Sequence, residues 1–400
     1  MLFASIKNSA HFFQQVLLFS ITAGWIVDSA LALTEVQLTF KSPLFEQAKK
    51  QARQATLPKD FPTHLRMEWP GKWATSDGKN SRALVRYHGD LPKHWQGAHP
   101  SYRVKSHGAL LGGVRKWSLI SASDKAFNVE SLSCEMARLR GLLCPRKKWI
   151  QLTVNSVDHG LYLANEVWSS ETWKYHGRKE GALIGEDGNW IAQVGAKRKT
   201  FYDLGFQKKG FTSYPLQWNP SIYRIKAYQG VTLPDVEEKW RLFLERAPRD
   251  SIEQMQLYLD VKKFASWVAL QYIFGSAHAS MGDNLNWFFH SATGLFEPTL
   301  YDILIAHWNH PTPIADRLSG SSEITSRFLS SCIGQTLLQE EHQFWSKNWE
   351  ASVMTPMNEF WSNEGAIVPN AKQRRIELIK LLKSNFSAFG RWVKGVKCKS

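Results

Sequence analysis

The chain has 400 residues, with 50 lysines and arginines against 35 aspartates and glutamates, a formal charge of +15; 43% of it is hydrophobic and 21% charged. This balance excludes a disordered tail, a collagen-like fibre and a multi-span membrane protein, and the length allows two domains or one large domain with insertions. The 18 tryptophans are scattered without a period, which excludes a repeat architecture. The positive excess points to an anionic partner without choosing among nucleotide, phospholipid, nucleic acid and acidic polymer.

Residues 1–32 read as an export signal: Lys7 precedes the apolar stretch VLLFSITAGWIV, and Ala30-Leu31-Ala32 has the small-x-small pattern of a cleavage site. The apolar run falls short of the roughly 20 residues of a membrane span; a buried N-terminal helix or an uncleaved anchor are the alternatives. Export would place the chain in a periplasm, outside the cell or on its surface. The segment carries one lysine and one aspartate, so the charge belongs to residues 33–400. Cys134, Cys144, Cys332 and Cys398 lack metal spacing. In an oxidising compartment they allow a pairing, with buried thiols the alternative, and spacing does not fix connectivity.

After the signal, alternation predicts a strand over 35–40, then a helix over 44–55 stopped by Pro58, then strands over 64–69, 81–88 and 101–105. A helix is expected over 129–143, ended by Cys144-Pro145, followed by a hairpin of 150–154 with 160–166. Residues 169–233, rich in Gly, Lys, Trp and Tyr, lack periodicity and read as an insertion. Apolar residues at three- and four-residue steps predict helices over 234–247, 251–274, 333–349 and 371–392. The result is an α+β chain: a β-rich part over 33–168, the insertion, and a mainly helical part over 234–400. That layout suits a bilobal enzyme with a cleft between lobes, and equally a two-layer binding protein.

Between two helices lies GSAHASMGDNLNWFFHSATGLFEPTLYD, residues 275–302. A polar loop offers His278, Asp283, Asn284 and Asn286; an aromatic strand, a turn and a second strand then return Tyr301-Asp302 towards the loop. Two carboxylates and an amide suit Mg²⁺, which takes a few oxygen ligands beside phosphate oxygens, and one carboxylate would instead orient an attacking hydroxyl. The plainer alternative is that Asp283-Asn284 makes a turn and Asp302 caps the next segment.

The segment VRYHGDLPKHWQGAHPSYRVK (85–105), then RKWSL (115–119), the helix over 132–142, Val154-Asn155 with GLYLANE (160–166), and NWFF with FEPTLYD (286–289 and 296–302) resemble, in order, the CotH kinase family. The resemblance implies a bilobal atypical protein-kinase-like fold and a secreted enzyme that uses ATP and Mg²⁺ or Mn²⁺ to phosphorylate protein hydroxyls. It implies Asp302 as metal-binding aspartate, Asn286 as second metal ligand and Asp283 as catalytic aspartate, with His278 assisting. The spacing departs from the family: Met281 stands five residues before Asn286, and Asp283 only three. Either a shortened loop keeps Asp283 in reach, or the chain is a pseudokinase. For the nucleotide's phosphates, Lys105 and Lys116 compete as strand-end ammonium groups, with Glu135 and Glu166 as acids to pair with such a lysine or a second metal. GALLGG at 108–113 lacks the Lys-Ser/Thr of a P-loop.

The other expectations differ in class. A nucleotide-dependent transferase would move an adenylyl or glutamyl group; a non-catalytic surface protein would bind glycan or acidic polymer through a basic, tryptophan-rich face. Nucleic acid is not the expected partner, since the basic residues are dispersed and no recognition motif is present. The protein substrate is expected to be acidic or envelope-associated.

Overall fold

The structure, a computed structural model, describes residues 33–54, 67–89, 94–108, 111–122, 129–186, 223–247, 249–277, 279, 284–303, 314, 318, 323–363 and 370–395. The export signal, most of the expected insertion, Cys398, His278 and Asp283 therefore lie outside the described residues.

The β-rich part alternates as expected. β1 (Thr34–Thr39) leads to α1 (Pro43–Gln54), then come β2 (Trp69–Thr75), β3 (Asn80–Tyr87), β4 (Tyr102–Ser106), β5 (Lys116–Ser121), α2 (Val129–Leu139), β6 (Lys147–Val154) and β7 (Val157–Glu166). The strand expected over 64–69 runs instead from Trp69, where Trp69, Trp73 and Thr75 turn to one side. The strands close into a barrel in the order β1-β2-β3-β4-β5-β7-β6, sealed by parallel pairing of β1 with β6. Closure leaves no exposed sheet edge. Every second residue points inwards: Val36, Leu38, Trp69, Trp73, Val85, Val104, Leu119, Ile150 and Tyr162 fill the interior. Asn155 (φ 50) and Ser156 (φ 68) turn β6 into β7 in the left-handed conformations that a two-residue hairpin requires.

α2 stops four residues earlier than expected, where Gly141 adopts φ +69. A disulfide joins its Cys134 to Cys144, and Cys332 carries no bridge.

A second sheet is antiparallel in the order β11-β10-β8-β9. Its strands are β8 (Gly181–Glu186), β9 (Tyr223–Ala227), β10 (Asn286–His290) and β11 (Leu295–Pro298). Both ends of the expected insertion thus belong to this sheet, together with α3 (Ser170–Tyr175). Their sequences lack a clear period because β8 is buried on both faces from Gly181 to Gly185. The helix expected over 251–274 is split into α5 (Ile252–Met255) and α6 (Val261–Phe274), which follow α4 (Leu233–Arg246). The break comes where Leu259 bridges to Phe296 of β11 and the Asp260 carboxylate accepts from the Lys263 N–H at 3.0 Å, capping α6.

α6 is buried on nearly every side, as its uniformly apolar sequence requires. It packs against α2 and two later helices, α8 (Cys332–Trp349) and α10 (Ala371–Gly395). α7 (Glu323–Ser330), a π-helical turn (Glu350–Met354) and α9 (Thr355–Ser362) complete this part. Arg140, just past α2, donates to the buried Glu341 of α8, which also accepts from Ser266 of α6 at 2.7 Å. Eleven of the tryptophans, from Trp69 to Trp361, are buried. Among the described residues the tryptophans belong to the core and present no exposed aromatic face. Among the described residues, no helix is long and apolar enough to cross a membrane.

Candidate functional site

On the outer face of the barrel, strand register aligns one polar row. Arg86 of β3 lies opposite Arg103 of β4, Arg103 opposite Ser118 of β5, Ser118 opposite Asn165 of β7, and Asn165 opposite Lys147 of β6. Lys147 ends the row in a deeply buried ion pair: its ammonium donates to the Glu130 carboxylate at 2.5 Å and to the Asn165 carboxamide oxygen at 3.2 Å. The two ionic side chains are 2% and 1% exposed. Glu130 occupies the first turn of α2, on the face that also buries Val129, Ser133 and Cys134. A buried pair of this kind is costly to break, so it fixes α2 against β6.

Glu135 does not take this position. The helical period turns it out to solvent, where it pairs with Arg138 at 2.7 Å. Glu166 is fully buried but meets an arginine instead of a lysine: Arg146 binds it through both ends of the guanidinium at 2.8 and 2.9 Å, and the Thr172 hydroxyl donates to it at 2.8 Å. It pins the end of β7 to α3. Lys105 and Lys116 are exposed cross-strand neighbours on β4 and β5.

The second sheet carries the other expected residues. Asn286 opens β10 and is 8% exposed. It pairs with Gly185 of β8, and a Cβ at Gly185 would overlap the Asn286 carboxamide oxygen. The glycine is required by that close approach, since the backbone there is not left-handed. Past β11 the chain is tied down twice: the Thr299 N–H donates to the Asn286 carbonyl at 2.8 Å, and the Leu300 N–H donates to the Leu143 carbonyl at 2.8 Å. These bonds carry Tyr301-Asp302 back to the barrel. The Tyr301 ring centroid lies 6.0 Å from the Lys147 ammonium and 6.2 Å from the Trp168 ring. Asp302 follows with φ +52. Left-handed backbone costs a non-glycine residue about 1 kcal/mol, and aspartate is among the residues that tolerate it. The Thr299–Asn286 bond thus joins the segment after β11 to the start of β10, with Asp302 three residues further on. The contribution of His278 and Asp283 lies outside the described residues.

The edge strand β9 adds two further cations. Arg224 continues the row of Asn286 and Gly185, and Lys226 continues that of Phe288 and Leu183. Burial first, then the charges of Arg224, Lys116 and Arg103, hold the Lys226 ammonium below the ordinary lysine value.

One carboxylate and one amide are a small donor set, and among the described residues no group of three His, Cys, Asp or Glu is placed to hold a metal. A metal at Asp302 and Asn286 would draw its other ligands from water and from an anionic ligand, as Mg²⁺ does. The family model described as CotH kinase protein matches residues 85–363, and the chain belongs to that family. Family membership suggests a kinase-like function. No curated protein matches the chain.

Sequence reasoning missed Lys147 and Glu130. The hairpin of β6 and β7 was legible only from residue 150, and a one-residue slip between Leu152 and Thr153 sets the register that brings Lys147 opposite Asn165. Extending the hairpin back to 147 would have found the lysine.

Proposed function

We propose that the chain is an exported, Mg-ATP-dependent atypical protein kinase that transfers phosphate to protein hydroxyls. The observation that carries this reading is the buried Lys147–Glu130 pair beside Tyr301-Asp302, inside the span matched by the family. Lys147 presents its ammonium to the nucleotide's phosphates, Glu130 and Asn165 hold it in place, and Asp302 with Asn286 holds Mg²⁺ or Mn²⁺. The metal, when bound, neutralises phosphate charge during transfer. Asp283, assisted by His278, is the group assigned to orient the acceptor hydroxyl and take its proton. Lys105 and Lys116 are exposed opposite each other on β4 and β5, whereas Lys147 is buried against Glu130. The barrel acts as the N-terminal lobe and the second sheet with its helices as the C-terminal lobe. Export is supported by the pattern of residues 1–32 and by the Cys134–Cys144 disulfide.

The test is calorimetric titration of Mg-ATP into the chain lacking residues 1–32, together with transfer of labelled γ-phosphate to the chain itself or to an added protein. Asp302→Asn is the control, because asparagine tolerates left-handed backbone as well as aspartate does. Wild-type binding and transfer, both lost in Asp302→Asn, are expected. Binding without transfer makes the chain a pseudokinase. Transfer of an adenylyl or glutamyl group, read from product mass, replaces the kinase by another nucleotide-dependent transferase. No metal-dependent binding at all refutes the reading.

A further inference from the structure

On α2, α4 and α7 surface arginines are matched by acids one turn away: Arg138 pairs with Glu135, Arg241 with Glu238 and Glu245, and Arg327 with Glu323. α10 is different. It holds seven lysines and arginines against one glutamate, and that glutamate, Glu377, accepts from the Gln373 carboxamide at 2.6 Å. The helix buries Leu378, Leu382, Phe389 and Val393 and packs against α6 and α8. Its outward side carries Lys372, Lys380, Lys383, Arg391 and Lys394, which recur at three- and four-residue steps with Ile376 and Ser387 filling the gaps. All five cations are exposed, and among the described residues none of their side chains makes an ion pair or a hydrogen bond. Lys380 with Lys383, and Arg391 with Lys394, are like-charge neighbours, which disfavour a helix. The packing of the opposite side holds these charges together on one face.

We propose that this face of α10 docks on a bilayer of anionic phospholipid. From Lys372 to Lys394 the face runs for about 33 Å at about 1.5 Å per residue. A straight row of cations meets a planar layer of phosphates along its whole length, and each lysine or arginine near such a layer raises partition about fivefold. Ile376 favours a bilayer over a soluble polyanion. It is 52% exposed in the gap between Lys372 and Lys380, and a lipid interface takes such a side chain out of water where a hydrated polymer does not. Because the apolar side of α10 is already spent on α6 and α8, the attachment is peripheral, through headgroup charge with Ile376 entering the interface. This inference is independent of the kinase reading: it concerns where the chain sits, not what it transfers.

The experiment measures flotation of the full chain with vesicles of phosphatidylcholine alone and of equal parts phosphatidylcholine and phosphatidylglycerol. Residues 1–32 are common to every variant, so the apolar stretch within them contributes alike throughout. Binding to the anionic vesicles is expected to be about tenfold stronger or more, and to weaken as salt rises. Lys380→Glu with Lys383→Glu should lower it about tenfold or more. The same change of charge at Lys50 of α1 and Lys239 of α4, also exposed, should alter it by less than about twofold. Ile376→Ser should weaken vesicle binding about threefold or more and leave the anisotropy titration of labelled polyglutamate unchanged. Circular dichroism checks each fold, and Lys380→Gln with Lys383→Gln carries the test if the charge reversal disturbs α10. Equal partition into both vesicles overturns the proposal, and so does an equal loss in the α1 and α4 variant, which would assign binding to net charge alone. Unchanged vesicle binding in Ile376→Ser, or tighter binding per acidic group to polyglutamate than to the anionic vesicles, overturns it too and gives the face to an acidic polymer.

Discussion

Lys147→Met is the sharpest perturbation of the candidate site. It replaces a chain of similar length by an apolar one and leaves the Glu130 carboxylate, 1% exposed, facing no ammonium. Removing one member of a buried ion pair costs about 3–5 kcal/mol, a large share of the roughly 5–15 kcal/mol by which folded domains are stable. Restoring compatibility with Glu130→Leu in the same chain should recover most of that loss, because two apolar side chains incur no ionic desolvation. Urea denaturation of wild type, both single variants and the double variant measures all of this. Phosphate transfer by the double variant then separates support from function: a chain that folds like wild type but binds Mg-ATP at least tenfold more weakly is expected. A Lys147→Met loss below about 1 kcal/mol, or a double variant no more stable than the sum of the singles, would refute the buried-pair argument.

Three further outcomes follow from the same geometry. Gly185→Ala should keep the fold, because its backbone is not left-handed, but should push the Asn286 carboxamide aside; the Mg²⁺ concentration for half-maximal nucleotide binding should rise about tenfold, with the circular dichroism unchanged. His176 donates from Nε2 to the Cys144 carbonyl at 2.7 Å, and burial, outweighing that bond, lowers its pKa with help from Arg138 and Arg178. A histidine lowered in the folded state contributes stability that is present above its unfolded pKa of about 6.5 and declines as pH falls below it; the melting temperature should drop on acidification, and His176→Gln should make that drop shallower. Replacing Cys134 and Cys144 by serine opens a bridge spanning 10 residues and should lower the unfolding free energy by about 2–3 kcal/mol, as read from denaturant midpoints.

Local pattern determined much of this protein. Alternation marked the strands of the barrel, three- and four-residue spacing marked α4, α8 and α10, and the aromatic run after Asn286 marked β10. These are short-range facts, fixed by which side of a strand or helix a residue occupies. Ordered family-like segments, too, were legible along the chain before any contact was known. Tertiary structure alone decided the rest. Closing the barrel needed β1 to pair with β6, more than a hundred residues away, and no local period encodes such a partner. Lys105, Lys116 and Lys147 all lie on the outer face of the barrel, but only Lys147 is covered there, by α2 with its Glu130, while helical phase turns Glu135 to solvent. Charge was countable from composition; which cations end buried against carboxylates, as Lys147 does against Glu130, required distant elements to meet, because the energy of charges depends on separation in space and not along the chain.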